Sequence, residues 1–207
     1  MNLINSYYYF KSALTHKFCD EVIEHALRQK ETLGVTGGYE DKKLDNKQLK
    51  KLKELRHSDL VWLNDNWIYK EIQPYVRLAN TMAGWNFEWD TSESIQFTKY
   101  KHNQFYDWHC DSWDKPYNKP SEPLEHGKIR KLSMTCQLTD GSEYTGGELE
   151  FDFRNKNPKE NTVQQCKEIL PKGSVIVFPS FVWHRVKPVT SGTRYSLVLW
   201  NLGRPFK

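Results

Sequence analysis

The sequence predicts a mainly β protein, a double-sheet jelly roll preceded by N-terminal helices that pack on the outer face of one sheet. Hydrophobic residues recur at helical spacing in the first half of the chain, the pattern then changes to short alternating segments, and turn residues separate those segments. We therefore expect a single domain over residues 1–207, with helical support in 1–92 and the jelly-roll core in 93–207.

Composition narrows the class of protein. The 14% of aromatic residues suits a β-rich protein with a lined cavity, and a net charge of +4 does not by itself indicate a nucleic-acid partner. The four cysteines form no Cys-x-x-Cys pair, which predicts reduced thiols in a cytoplasmic protein rather than a disulfide framework or a zinc site. The N-terminus lacks the pattern of a signal peptide, and we expect no membrane span.

Two amphipathic helices are predicted in the N-terminal half. Thr15 caps the first, which runs to about Lys30, and the second begins near Asp65. Pro74 lies inside the second helix and should kink it or split it in two. The Lys-rich segment 42–56 between them has two interpretations: a surface for an anionic partner, or a solvated loop or polar helix face, which such runs more often form.

Short strands follow from residue 93 onward, because apolar and polar residues alternate between turn signals. The predicted strands are residues 94–101, 105–109, 130–138, 147–153, 162–166, 173–178, 182–189 and 194–202.

The first segment that contains candidate metal-binding residues runs from Tyr100 to Asp111. It ends in His109-x-Asp111, and on an extended chain these two side chains point to the same side because strand side chains alternate. An imidazole and a carboxylate on one face supply two ligands of the 2-His-1-carboxylate triad, which holds non-haem Fe(II) and leaves coordination positions open. His184 is the candidate third ligand. The irregular, proline-containing segment 113–128 begins just after Asp111, so we expect it to form a lid over the site.

The last predicted strand places an arginine inside the protein. Alternation puts Arg194, Ser196 and Trp200 on one face, while the other face is wholly apolar or aromatic and should pack under the helices. A buried guanidinium needs a partner, most often a bidentate carboxylate. No protein carboxylate is evident, so a ligand carboxylate is the simplest partner. Polar residues of two further strands should face the same cavity: Gln96, Thr98 and Tyr100, and Ser133, Thr135 and Gln137.

In this order the motifs resemble those of the prolyl 4-hydroxylase-like family of Fe(II)/2-oxoglutarate-dependent dioxygenases. The matching residues are Tyr100, Tyr106, His109 and Asp111, then Arg130 to Ser133, Gly146 to Leu149, Phe178 to Ser180, His184 to Val189, and Gly192 to Ser196. Asn103 stands where the family has a glycine, although asparagine also tolerates positive φ. Arg194 stands where collagen-type enzymes have lysine, so a collagen-like substrate is not implied.

The resemblance implies a double-stranded β-helix with catalytic residues His109, Asp111, His184 and Arg194, the first three as iron ligands. It also implies 2-oxoglutarate as cosubstrate, its C5 carboxylate bound by Arg194, and ascorbate as a further cofactor to be tested. The implied helpers in 2-oxoglutarate binding are Tyr100, Gln137 and Ser196. The substrate contacts that it implies are Tyr106, Arg130 and Trp200, and the substrate is expected to be a prolyl residue in a protein or peptide.

Other functions stay open at this point. The same fold could hydroxylate or demethylate a nucleic-acid base or a small molecule, with segment 42–56 as the contact, although we expect a peptide ahead of nucleic acid. A zinc hydrolase with the same ligands would leave Arg194 without a role and lacks an evident general base. A metal-free jelly-roll binding module is the non-enzymatic alternative. The oligomeric state is not predicted.

Overall fold

The computed structural model describes residues 5–34, 45–112, 115–153 and 163–206. Its helices are α1 (His16–Leu27), α2 (Asn46–Leu55) and α3 (Asn66–Met82). Its strands are β1 (Tyr8–Phe10), β2 (Thr32–Leu33), β3 (Arg56–His57), β4 (Asp59–Leu63), β5 (Thr91–Ser92), β6 (Ile95–Tyr100), β7 (Phe105–His109), β8 (Ile129–Gln137), β9 (Tyr144–Gly146), β10 (Leu149–Asp152), β11 (Gln164–Gln165), β12 (Val175–Pro179), β13 (Trp183–Val186), β14 (Val189–Gly192) and β15 (Arg194–Gly203).

Two antiparallel sheets carry the architecture. The larger has the order β1-β12-β8-β15-β6-β4-β2, with β5 paired to β15, and the smaller has the order β11-β10-β13-β7-β3. Strands β14 and β9 form a separate antiparallel pair. Strands that are consecutive in the sequence are often not adjacent in a sheet, as expected when the chain alternates between two sheets. The prediction of a mainly β protein with antiparallel sheets is confirmed.

Helices α1 and α3 share a hydrophobic core with the larger sheet. Val22 of α1 and Ile72 of α3 are fully buried in one cluster with Met134 of β8 and Leu197 of β15. Helix α1 starts where predicted, because the Thr15 hydroxyl accepts a hydrogen bond from the backbone N–H of Phe18 at 3.1 Å. Because α1 and α3 pack on apolar side chains of the larger sheet, these two helices lie on the face opposite its polar side chains.

The N-terminal half differs from its prediction in three ways. Helix α1 ends at Leu27, about one turn before Lys30. Pro74 does not split α3, because the buried side chains on either side of it, Ile72 and Val76, hold the helix against the sheet. The half expected to be helical support also supplies five strands, β1 to β5, which are too short for their alternation to stand out in the sequence.

The Lys-rich segment forms α2, and its first residues, 42–44, lie outside the described residues. A capping box starts this helix: the Asp45 carboxylate accepts from the Gln48 backbone N–H at 2.7 Å, and the Gln48 side chain accepts from the Asp45 N–H at 3.0 Å. Only Leu52 of α2 is buried. The segment is therefore mostly an exposed polar helix, and both the anionic-partner surface and the solvated face stay open as predictions.

Each strand predicted in the C-terminal half has a counterpart, with shifted ends. The strand expected at 147–153 begins at Leu149, because Gly146 and Gly147 take φ of +72° and +65°, outside the strand region. The strand expected at 182–189 is divided between β13 and β14, which belong to different sheets. The strand expected at 162–166 is reduced to β11, and residue 162 lies outside the described residues. Among the helices of the described ranges, none has the length and apolar content needed to cross a membrane.

Candidate metal and cosubstrate site

The three predicted metal ligands lie together between the two sheets. His109 at the end of β7 is paired in register with His184 of β13, so the two imidazoles are cross-strand neighbours. Asp111 follows two residues after His109, with Oδ1 at 3.7 Å from His109 Nε2 and Oδ2 at 3.5 Å from His184 Nε2. One candidate ligand atom from each of the three residues lies within 4.8 Å of those of the other two.

Both imidazoles are oriented by backbone carbonyls. His109 Nδ1 lies 2.7 Å from the Asp107 carbonyl oxygen, and His184 Nδ1 lies 2.9 Å from the Val182 carbonyl oxygen. A carbonyl only accepts, so each Nδ1 carries the proton and each Nε2 keeps its lone pair. Metal-binding histidines are typically held in this way, with the second nitrogen donating to an oxygen.

The position of Asp111 is fixed by Ser133, which contacts its carboxylate, and by Ser180, which contacts its backbone and the Ser133 hydroxyl. Ser133 of β8 donates its hydroxyl to Asp111 Oδ2 at 2.7 Å and lies 2.9 Å from the Ser180 hydroxyl. The backbone N–H of Asp111 donates to the Ser180 carbonyl at 2.9 Å. The sequence placed Ser133 on a cavity-facing side but gave no sign of its contact with Asp111, since the two residues lie on different strands.

Burial and mutual charge set the protonation of the ligands. Burial, reinforced by His184, holds the pKa of His109 well below its usual value. Burial alone would raise the pKa of Asp111, but the two imidazoles, Arg130 and the Ser133 hydrogen bond outweigh it and leave that pKa lowered. A neutral imidazole and an ionised carboxylate are the forms that bind metal. Two imidazole nitrogens and one carboxylate oxygen match the triad that holds non-haem Fe(II).

Arg194 is buried in the same cavity and lacks a carboxylate partner among the described residues. Its side chain is 1% exposed, and its Nη2 atom has no hydrogen-bond partner there. The guanidinium carbon lies 5.7 Å from the centre of the Tyr100 ring, and Arg194 and Tyr100 are cross-strand partners. An unpaired buried cation is costly, so this site fits an incoming carboxylate such as that of 2-oxoglutarate.

The cavity that joins Arg194 to the three ligands also contains two of the three predicted helpers. Tyr100 and Ser196 line it. Burial raises the pKa of the Tyr100 phenol, which therefore stays protonated and can donate a hydrogen bond. Gln137 is not among the lining residues, because its amide nitrogen donates at 2.8 Å both to the Thr139 carbonyl and to the Tyr144 hydroxyl. A direct contact of Gln137 with the cosubstrate has no support from this placement.

The three predicted substrate residues lie near the triad but in different settings. The Tyr106 ring stacks on His109 with centroids 3.5 Å apart, and both Tyr106 and Trp200 line the cavity. Arg130 stacks on Trp200, its guanidinium carbon 3.8 Å from the ring centre, and is paired with Glu93 through two hydrogen bonds of 2.7 and 2.5 Å. The sequence analysis named Arg130 as a substrate contact and did not indicate its pairing with Glu93.

Arg56 is a second buried arginine, and the sequence did not indicate its burial. It lies at the end of the Lys-rich segment, where a charged residue is expected to be exposed. It is 4% exposed, its guanidinium carbon lies 4.5 Å from the Tyr106 ring centre, and Nε donates to the Ser58 hydroxyl at 3.0 Å. Arg56 therefore supports the ring that stacks on the candidate metal ligand His109.

The predicted lid is described from residue 115 onward. It is a compact loop closed on itself by two backbone hydrogen bonds of 2.9 Å, Tyr117 N–H to Lys128 and Gly127 N–H to Tyr117. The Tyr117 hydroxyl donates to Glu93 at 2.9 Å, which ties the loop to the Glu93–Arg130 pair. None of the loop's described residues lines the cavity, so its covering of the site remains a prediction.

Known proteins share both the sequence and the fold of this chain. A PKHD-type hydroxylase of Synechococcus sp. strain CC9902 is 38% identical over 108 residues, which are 52% of this chain and 40% of that relative. The viral collagen prolyl hydroxylase of Paramecium Bursaria Chlorella virus-1, solved with 2OG, has a TM-score of 0.67 at 20% identity, with 97% of both chains covered. A Trichoplax adhaerens prolyl hydroxylase, solved with a hypoxia inducible factor peptide fragment, has a TM-score of 0.66 at 17% identity, covering 96% of this chain and 84% of that one.

The solved structures are too distant in sequence to show more than a common fold, and the matched stretch covers less than half of the Synechococcus relative. A sequence profile settles the family. It matches residues 95–201, from β6 to β15, and so includes His109, Asp111, His184 and Arg194. This chain therefore belongs to the 2OG-Fe(II) oxygenase superfamily.

Proposed function

We propose that this protein is an Fe(II)- and 2-oxoglutarate-dependent hydroxylase whose substrate is a prolyl residue in a protein or peptide. One observation carries the proposal: the described residues bring His109, Asp111 and His184 into the same cavity as the buried, unpaired guanidinium of Arg194. A metal triad alone would fit many reactions, but a triad beside a carboxylate-binding cation fits a metal-chelating dicarboxylate.

Each residue of the site then has a defined task. His109, Asp111 and His184 would hold Fe(II), and Arg194, with the Tyr100 hydroxyl and Ser196, would bind the far carboxylate of 2-oxoglutarate. When bound, Fe(II) and 2-oxoglutarate would activate dioxygen, the oxidant, which converts 2-oxoglutarate to succinate and carbon dioxide and supplies the hydroxyl oxygen to the substrate. The walls of the cavity include Leu149, Phe178 and Val186, which exclude water from the reaction. Ascorbate is included in the proposal as a reductant, to be tested by its effect on turnover.

The prolyl substrate is supported by the aromatic lining of the cavity and by the likeness to prolyl hydroxylases. Tyr106 and Trp200 offer flat apolar faces within the cavity, and a pyrrolidine ring needs packing but has no N–H to satisfy. One solved relative of the same fold is in complex with a peptide fragment. A peptide is therefore favoured over a nucleobase or a free small molecule.

The scaffold belongs to the same proposal. We take the two sheets to be the two halves of a double-stranded β-helix, with α1 and α3 as supports on the outer face of the larger sheet. This arrangement leaves the facing sides of the sheets for the metal, the cosubstrate and the substrate.

The test is conversion of 2-oxoglutarate to succinate by the iron-loaded protein, with mass spectrometry for the gain of one oxygen on a panel of prolyl peptides. The proposal predicts turnover that requires Fe(II) and is lost in Asp111→Ala. The matched control is Asp107→Ala, which changes an exposed carboxylate of β7, four residues before Asp111, whose side chain lies outside the cavity lining. Oxygen gain on a nucleobase with none on any prolyl peptide would overturn the substrate assignment and leave the cofactors intact.

A further inference from the structure

Two buried polar groups of the cavity have no role in binding the metal or the cosubstrate. Gln96 and Trp200 both line the cavity and are 3% and 5% exposed. The Gln96 amide nitrogen donates to the Thr98 hydroxyl at 2.8 Å, but its oxygen, Oε1, has no hydrogen-bond partner among the described residues. The indole N–H of Trp200 is also without a partner there.

These two atoms are complementary, one acceptor and one donor, and they lie on neighbouring strands. Gln96 of β6 is paired in register with Val198 of β15, and Trp200 follows two residues later on the same face. Buried polar groups are nearly always hydrogen-bonded, so an acceptor and a donor left unpaired in one cavity indicate a ligand that supplies the opposite pair.

A third residue, Trp62, continues from Gln96 and Trp200 towards solvent. Trp62 of β4 is the cross-strand partner of Gln96, is 45% exposed, and its ring centre lies 6.3 Å from that of Trp200. The Arg130 guanidinium carbon also lies close to the Trp200 ring, at 3.8 Å from its centre. An aromatic surface therefore runs from the buried Trp200 to the exposed Trp62.

We propose that Gln96, Trp200 and Trp62 form a subsite that binds one extended residue of the substrate next to the target proline. In an extended segment the N–H and C=O of one residue point to the same side, so they can meet Gln96 Oε1 and the Trp200 N–H together. Proline has no N–H, so the residue bound here is a neighbour of the target and not the target itself. The side chain of the adjacent substrate residue packs on Trp62. The inference rests on the proposed peptide hydroxylase activity and assigns the specificity of that same site.

The experiment is an ester scan. In a prolyl peptide that the Fe(II)- and 2-oxoglutarate-loaded enzyme hydroxylates, each backbone N–H is replaced in turn by an ester oxygen, and kcat/KM for hydroxylation is measured. One ester should lower kcat/KM by about tenfold with the wild-type enzyme, because it removes the N–H that Gln96 accepts. The same ester should cause no further loss in Gln96→Met, which keeps the length of the side chain and removes its oxygen.

Two companion variants separate the other contacts. Trp200→Phe keeps an aromatic ring but removes the indole N–H together with part of the ring surface, and it should raise KM for the peptide by about tenfold. Trp62→Ala should raise KM for the peptide, whereas Trp67→Ala, an exposed tryptophan that packs on Phe18 and His25 away from the cavity, should not.

The outcomes are distinct. An ester profile that is the same in the wild type and in Gln96→Met overturns the subsite and leaves the hydroxylase assignment standing. No oxygen gain on any prolyl peptide, with succinate still formed, overturns the prolyl substrate and the subsite with it.

Discussion

Glu93 and Arg130 form a two-pronged ion pair at the edge of the cavity, with Arg130 Nε at 2.7 Å from Oε1 and Nη2 at 2.5 Å from Oε2 of Glu93. The side chains are only 10% and 14% exposed. Glu93 also accepts from the Tyr117 hydroxyl, so one carboxylate holds both the arginine that stacks on Trp200 and the loop that follows Asp111.

Removing one partner of this pair should cost stability. Glu93→Ala removes both carboxylate oxygens that bond the buried Arg130 guanidinium, and we expect the free energy of unfolding to fall by about 3 kcal/mol in urea denaturation. The double variant Glu93→Ala/Arg130→Met should recover at least half of that loss, because the guanidinium that lost these two hydrogen bonds is removed as well.

The control is Asp90→Ala, which removes the partner of Lys128 at a site where the carboxylate is 64% exposed. We expect a loss below about 1 kcal/mol, because solvent screens an exposed pair. Equal losses in Asp90→Ala and Glu93→Ala would contradict a special role for the buried pair.

The Ser133 hydroxyl should matter for metal affinity and not for the fold. It donates to Asp111 Oδ2 at 2.7 Å, so Ser133→Ala leaves the carboxylate free to turn. We expect a loss of about tenfold to a hundredfold in affinity for Mn(II) as a stand-in for Fe(II), measured by calorimetric titration. Ser142→Ala, which changes an exposed hydroxyl bonded to Asp140, is the matched control and should bind metal normally.

Metal binding should release few protons. Because burial lowers the pKa of His109 and the neighbouring imidazoles lower that of Asp111, both ligands are already in the metal-binding form at pH 6. Binding of Mn(II) at that pH should therefore release fewer than about one proton, against about 1.5 for two imidazoles of ordinary pKa. Calorimetry in buffers of different ionisation enthalpy measures this number. A release of about 1.5 or more would show that His109 is protonated in the metal-free protein.

The sequence was most informative where strand alternation and chemistry coincide. Alternation along β15 predicted that the Arg194 side chain points into the protein, and its 1% exposure agrees with that prediction. His109-x-Asp111 lies at the end of a strand, and pairing of that strand with β13 brings His184 to it. These features depend on local periodicity, which a single sequence displays.

Features that depend on distant contacts were not predictable. Nothing near Glu93 in the sequence indicates that its partner is Arg130, and Arg56 cannot be told from its lysine neighbours until β3 pairs with β7 and places it against Tyr106. Strand alternation places Gln137 on the same face as Ser133 and Thr135. Its amide nitrogen nevertheless donates to the Tyr144 hydroxyl, a contact that alternation cannot predict. The continuity of α3 through Pro74 likewise depends on packing against the larger sheet.

The role of Arg194 is tested most directly by binding of 2-oxoglutarate to the Fe(II)-loaded protein under anaerobic conditions. The visible charge-transfer band of the chelated complex reports the binding. Arg194→Met should retain metal binding and weaken 2-oxoglutarate binding by at least about a hundredfold, because one partner of a buried charge pair is lost. Arg194→Lys should recover only part of the affinity, since lysine lacks the bidentate fork. Wild-type affinity for 2-oxoglutarate in Arg194→Met would contradict the assignment.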